Sequence, residues 1–257
     1  MIPLKDDAPR LSTPWVTYFL LLANIAAFLM ELTLASNYGR QALDTVLFEL
    51  GVVPERLAVL ALHGGIVPRS LVPLMGAHSV GLADAALPYL TSMFLHGSWL
   101  HLIFNMWALW IFGDNVEDHF GHSLYLLLYL GSGIVAALLH TIVALGLGSG
   151  MVVPVVGASG AIAGIMGAYF VLFPSARVLT LVPFIFVFFV WLPAWVVLGW
   201  WFIIQFLSGA ATAITAHNQN MVGSGVAVWA HVGGFLTGML CVPMFPSRRR
   251  RYRYYGR

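Results

Sequence analysis

Between His119 and Arg248 this chain of 257 residues carries one charged side chain, Arg177. A soluble domain must cover its surface with polar groups, and such domains carry about 25% charged residues. Here the share is 9%, against 60% apolar or aromatic residues. In water, a fold made from this stretch would expose contiguous apolar patches. Hydrocarbon is the solvent that suits it. These features exclude a water-soluble globular domain, a disordered chain and a nucleic-acid binder. They predict an all-α polytopic membrane protein, because a helix satisfies its own backbone hydrogen bonds in lipid. Six of the twelve basic residues lie in the last ten positions, so the net charge of +2 reflects the tail alone.

A span needs roughly 20 apolar residues. Six candidates follow: Pro14–Ala35, Trp99–Val116, Leu124–Leu147, Ala158–Pro174, Pro193–Ser208 and Val222–Phe245. The fifth lies in an apolar stretch from Val178 to Ala211, too long for one untilted span and interrupted by Pro183 and Pro193. A short apolar approach segment is expected before it. The predicted organisation is an N-terminal segment 1–13, a six-helix membrane domain 14–245 and a basic tail 246–257.

Basic flanks stay cytoplasmic. The tail Arg248–Arg253, together with Lys5, Arg10 and Arg177, sets both termini inside a bacterial or archaeal plasma membrane. Anionic lipid headgroups are the expected partner of that tail. Asp114, Glu117 and Asp118 fall in a predicted inner loop, where acids weigh little in orientation. The external segment 36–98 holds most of the non-terminal charge yet is half apolar, so a loop domain of short helices resting partly in the bilayer is expected. The first apolar run, Trp15 to Leu34, spans a bilayer and has no clear small-residue cleavage site after it, so a retained span is expected. Cys241 is the single cysteine and sits in an apolar run, as a small packed side chain.

Polar side chains inside a span are costly and are functional candidates by default. His101 and Asn105 are spaced i, i+4 and share a helix face. Ser159 sits within Gly157-Ala158-Ser159-Gly160, and His231 precedes Gly233-Gly234. Gly160, Gly164 and Gly167 make a bare strip on span four, and His231, Gly234 and Gly238 make another on span six. Such strips let helices approach closely. If the two strips pack together, His231 meets Ser159 below the outer surface. An imidazole about 2.6–3.2 Å from a serine hydroxyl can take its proton. The N–H groups of Ser159 and Gly160 at the start of span four, with Asn105 and His101, can then hold a developing oxyanion. Nucleophile, base and oxyanion donors together make a set for acyl transfer.

Three stretches carry a family resemblance: His96-Gly97-Ser98-Trp99-Leu100-His101-Leu102-Ile103-Phe104-Asn105, Gly157-Ala158-Ser159-Gly160-Ala161 and Ala230-His231-Val232-Gly233-Gly234-Phe235. In kind, order and placement on spans two, four and six they resemble the rhomboid intramembrane serine proteases, over about residues 13 to 245. The resemblance implies a six-helix rhomboid-like fold with span four short and starting deep in the membrane. It implies a dyad of Ser159 as nucleophile and His231 as general base, working through an acyl-enzyme. His101, Asn105 and the backbone at Ser159 would bind the oxyanion. Span five and the loop Ala210–Gly225 would form a lateral gate and cap. Neither metal nor other cofactor is implied, and the substrates would be single-span membrane proteins. Where many relatives carry Trp-Arg before span two, this chain has Pro88-Tyr89-Leu90-Thr91.

Two other readings compete. A catalytically silent relative would bind membrane clients without cutting them, and its usual mark is loss of the serine or the histidine. A small transporter using the histidines as a proton path would call for intramembrane acids, and Glu31, near the outer end of span one, is the one candidate. A metallopeptidase is disfavoured because His-Glu-x-x-His does not occur. His119 and His122 are expected to be solvated at an interfacial loop.

Overall fold

The computed structural model describes residues 1–148, 151–183, 187–219 and 227–245. Strand β1 (Ile2–Asp6) leads into helix α1 (Trp15–Tyr38). A run of short helices follows: α2 (Arg40–Leu50), α3 (Pro54–His63), α4 (Val72–Met75), α5 (Leu82–Ala86) and α6 (Pro88–Thr91). The long elements α7 (Trp99–Phe120), α8 (His122–Leu147) and α9 (Ser159–Leu172) come next. Strands β2 (Arg177–Pro183) and β3 (Val187–Pro193) precede α10 (Ala194–Gln219) and α11 (Val228–Cys241). The helices α1, α8 and α10 (over Ala194–Ile214) are long and apolar enough to cross a membrane. Helix α7 spans 22 residues and ends in a polar segment with Asp114, Glu117 and Asp118, whereas α9 and α11 have 14 residues each.

The expectation of an all-α chain is corrected by a three-stranded antiparallel sheet of order β1-β2-β3. The apolar approach segment after Pro174 is the β2–β3 hairpin, in which Arg177 faces Pro193 and Pro183 faces Val187. Its valines, phenylalanines and tryptophan favour strand, and a continuous apolar run has no period that separates strand from helix. Strand β1 adds to the other edge of β2, with Ile2 opposite Leu181 and Asp6 opposite Val178. No local pattern could reveal that partner, which comes from the far end of the chain. Both faces of β3 are apolar and exposed from Val187 to Trp191. Lys5 and Arg177 stand over the Trp191 ring at 5.6 and 5.9 Å.

Helix α9 is the centre of the packing, buried from Gly160 through Tyr169, as expected of a helix that is apolar on every side. Glycines set its approach to α11. A Cβ at Gly234 would overlap the Gly160 carbonyl, one at Gly238 the Gly164 carbonyl, and one at Gly167 the Phe235 carbonyl. Leu109, Phe112, Tyr125, Tyr129, Ile165 and Phe235 fill the core around this contact.

The acids expected in an inner loop instead complete α7 and fasten the start of the chain. Glu117 is fully buried. Its carboxylate accepts from the N–H groups of Val16 (2.9 Å) and Thr17 (2.8 Å) and from the Thr17 hydroxyl (2.7 Å). It thereby supplies from another helix the cap that α1 lacks, since Pro14 offers no side-chain acceptor. Asp118 accepts from the N–H and hydroxyl of Ser12 at 2.9 and 2.5 Å. His119 and His122 lie in helices rather than in a loop, and His122 is exposed as expected. His119 lies in α7 with its ring against Phe120. His122 opens α8 and holds Nδ1 2.6 Å from a Glu117 carboxylate oxygen. Cys241 packs against the main core.

Asp6 accepts from the Tyr169 hydroxyl and, at 3.0 Å, from the Asn115 amide. Burial pushes its carboxyl up from 3.8 to about 6, against the lowering by the Tyr169 hydrogen bond. The folded chain therefore holds a proton there that the unfolded chain releases. The resulting stabilisation is complete below about pH 3.8 and is lost as pH rises through about 6. Asp6→Asn should flatten this part of the dependence, measured as the unfolding midpoint in detergent between pH 4.5 and 7.5.

The segment between α1 and α7 forms short helices around two small apolar cores. Buried Arg56 donates to the Glu49 carboxylate and carbonyl, both at 2.9 Å. At the place without a Trp-Arg pair, the buried Tyr89 donates its hydroxyl to Thr141 of α8 at 3.0 Å, and Val52 bridges to Val155. These contacts tie the segment to α8 and to the residues leading into α9.

Candidate active site

Ser159 is the first residue of α9, which has no side-chain cap. The first N–H groups of a helix lack intrahelical acceptors, so those of Ser159 and Gly160 face outward along the axis. The residues before Ser159 turn sharply. Gly157 has φ +125° and donates its N–H to the Ser92 carbonyl at 2.8 Å. A Cβ there would lie 2.6 Å from His101 Cε1 and Nε2 and 3.7 Å from Asn105 Nδ2. Glycine is thus required for both the dihedral and the space. The same contacts bring the α7 pair His101 and Asn105 against the start of α9. The Asn105 amide nitrogen is buried without a hydrogen-bond partner, a donor left for something that enters the pocket.

Helix α11 carries His231 to the other side. Its Nε2 lies 2.8 Å from Ser159 Oγ. The expected contact between the two glycine strips is present, and it is what brings these side chains together. His231 is buried, whereas Ser159 is partly accessible. The four side chains expected to converge, Ser159, His231, His101 and Asn105, are gathered from α7, α9 and α11.

Three further residues frame the site. Gln205 of α10 places Oε1 2.8 Å from His231 Nδ1, and Trp201, one turn earlier, lays its ring beside the imidazole at 5.6 Å. His140 of α8 lies within electrostatic range of the same imidazole. The signal for Gln205 was in the sequence: it is the one amide in the apolar run 193–207, where a polar side chain is a candidate by default.

Before α7, His96 is buried with its ring edge-on to His101 at 5.1 Å and neither ring nitrogen hydrogen-bonded. Burial, then the neighbouring His101, holds its imidazole down at about 4, so it is neutral near pH 7. Its backbone N–H donates to Glu31 at 2.9 Å. Glu31, the one intramembrane acid of the transporter reading, is therefore buried against the loop preceding α7. Among the described residues no three His, Cys, Asp or Glu side chains converge as metal ligands would. The expected gate loop Ala210–Gly225 divides: 210–219 continue α10, and 220–225 lie outside the described residues. The basic tail Arg248–Arg253 also lies outside them.

Set against known proteins, residues 84–248 match the family profile described as Rhomboid domain. "Rhomboid protein 1, mitochondrial" of Saccharomyces cerevisiae is 34% identical over 149 residues, 58% of this chain and 39% of that protein. "Presenilin-associated rhomboid-like protein A, mitochondrial" of Danio rerio is 31% identical over 100 residues, 38% of this chain and 26% of that protein. The "Putative rhomboid protease YdcA" of Bacillus subtilis is 28% identical over 181 residues, 63% of this chain and 69% of that protein. The chain thus spans well under half the length of the yeast and zebrafish relatives.

Proposed function

Since the chain belongs to the rhomboid family of membrane proteins, we propose that it is an intramembrane serine protease cutting single-span membrane proteins with Ser159 and His231. One observation carries this reading: a serine hydroxyl 2.8 Å from an imidazole nitrogen, at the uncapped start of a buried helix. In the proposed reaction, His231 Nε2 takes the Ser159 proton as Oγ attacks the peptide carbonyl. The N–H groups of Ser159 and Gly160, the Asn105 amide and His101 stabilise the oxyanion. The imidazolium then protonates the leaving amine, and the acyl-enzyme forms. A water deprotonated by His231 attacks the ester, and Ser159 regains its proton as the new carboxyl product leaves.

The proposed membrane arrangement has six spans, formed by α1, α7, α8, α9, α10 and α11. Fourteen residues of α9 reach roughly 21 Å, against a hydrocarbon thickness of about 30 Å. Such a helix must begin or end inside the bilayer, which supports a submerged Ser159. The loop domain rests partly in lipid, a reading supported by Leu62, Ile66 and Leu82, each more than 70% exposed. Both termini are assigned to the cytoplasmic side of a bacterial or archaeal plasma membrane. Pairing of β1 with β2 supports a common side for the N-terminus and Arg177. The names of the yeast and zebrafish relatives point instead to mitochondria. The Arg248–Arg253 tail is assigned to anionic headgroups.

A fluorophosphonate probe tests the chemistry without a known substrate. Purified protein should be labelled on one residue, Ser159, and Ser159→Ala should take no label. An unlabelled wild type, in a preparation that melts cooperatively, rejects the protease reading and favours the silent relative or the transporter.

A further inference from the structure

We propose that Gln205 is the positioning residue of the His231 base, so that the working unit is Ser159-His231-Gln205. The inference rests on the protease reading and extends it. An imidazole with one proton can serve as base at Nε2 only if Nδ1 carries that proton. Nδ1 lies 2.8 Å from Gln205 Oε1, and a carbonyl oxygen can only accept. The contact therefore requires Nδ1–H and leaves the Nε2 lone pair turned to Ser159 Oγ, 2.8 Å away. The opposite amide orientation would present N–H donors to Nδ1 and move the proton to Nε2, where it cannot receive one from serine.

Orientation is fixed by the same helix. Trp201 and Gln205 are i, i+4 on α10 and share a face. One lies beside the imidazole ring and the other holds its edge. The start of α10 is anchored in the core by Ala194, Val197 and Leu198, whereas Trp200, Ile203, Ile204, Phe206 and Leu207 are exposed. The base is thus oriented from the half-exposed middle of a helix that is anchored in the core at its start, and only while that helix is seated on α11. The other titratable groups within electrostatic range of His231 are His101 from α7 and His140 from α8. Neither is a carboxylate, so the neutral amide supplies direction without charge.

The test compares wild type, Gln205→Leu and Gln205→Glu in detergent or liposomes. With a single-span substrate, Gln205→Leu should lower kcat roughly 10- to 100-fold and change KM less than about twofold. Gln205→Glu keeps an acceptor and adds charge beside the imidazole. It should recover most of the lost kcat and move the acidic limb of the kcat/KM profile to higher pH by about one unit. A purely structural role would depress both variants and leave the limb in place. Imidazole nitrogen shifts, assigned with His231→Asn, read the tautomer with no substrate: Nδ1–H in wild type and a mixture in Gln205→Leu. The proposal is overturned if Gln205→Leu matches wild type in kcat, profile and tautomer, or if Gln205→Glu leaves the limb unmoved. A wild type that takes no fluorophosphonate yet shows the Nδ1–H tautomer, lost in Gln205→Leu, would sink the protease reading while upholding the Gln205 contact.

Discussion

Ser159→Ala is expected to reduce cleavage of a single-span substrate by roughly 10⁴-fold or more, and His231→Ala to do the same. The two changes act on one proton transfer, across a contact of 2.8 Å. Without the hydroxyl there is nothing to acylate. Without the imidazole the serine keeps its proton near neutral pH. The losses should therefore not add, and the double variant should be about as slow as either single one. Folding should survive both: Ser159 is partly accessible and opens a helix that has no side-chain cap to lose. The readouts are product formation in proteoliposomes and the unfolding midpoint. Cleavage that persists in Ser159→Ala at the wild-type rate would end the mechanism. Additive losses in the double variant would mean that the two residues act on different steps.

Gly238→Val should also be strongly damaging although it touches no reacting atom. A Cβ at this position would overlap the Gly164 carbonyl and come 2.9 Å from the Ala168 nitrogen. Both are backbone atoms of a buried helix and cannot move aside cheaply. Helices α9 and α11 must part, and the Ser159–His231 contact opens with them. A displacement of about 1 Å can cost 10²-fold in rate, and overpacking adds about 1–3 kcal/mol of destabilisation. Labelling of Ser159 by fluorophosphonate and substrate cleavage should both fall by at least about 10²-fold. The control is Gly146→Val in α8, where a Cβ would meet nothing within 4 Å, and activity should remain. Equal activity in the two variants would show that close approach of the glycine strips is not what assembles the site.

The contrast between these positions marks what could be read in advance. The charge-poor stretch from His119 to Arg248 was enough for a membrane class, because the cost of burying charge in hydrocarbon depends on composition and not on arrangement. Helical spacing was enough to put Gly234 and Gly238 beneath His231, and Gly160 and Gly164 beside Ser159, because the period of a helix is fixed by its backbone. The identities of Ser159, His231, His101 and Asn105 followed from the chemistry of polar groups in an apolar run.

Other features lay in the same letters and could not be extracted from them. The hairpin Arg177–Pro193 is apolar without interruption, so no period separated strand from helix, and its third strand comes from residues 2–6. Asp114, Glu117 and Asp118 read as a loop after span two. Their acceptors find donors about one hundred residues earlier, at Arg10, Ser12 and Thr17, and that turns them into the end of α7. His122 is solvated as its sequence suggests, but its contact with buried Glu117 has no local signal. Gln205 was one polar residue among many apolar ones, and only the seating of α10 on α11 gave it His231 as a partner.

Side-chain composition and spacing were enough for the solvent of this protein, the faces of its helices and the candidate residues for acyl chemistry. Each of these depends on side-chain type and local period, which act within a few residues. The tertiary structure alone decided which end of the chain completes the sheet, which helix end Glu117 caps and which group holds the second nitrogen of the imidazole. Those are pairings of hydrogen-bond donors with acceptors across long separations. A buried donor accepts any partner of the right chemistry, so the choice is made only when packing brings one within about 3 Å.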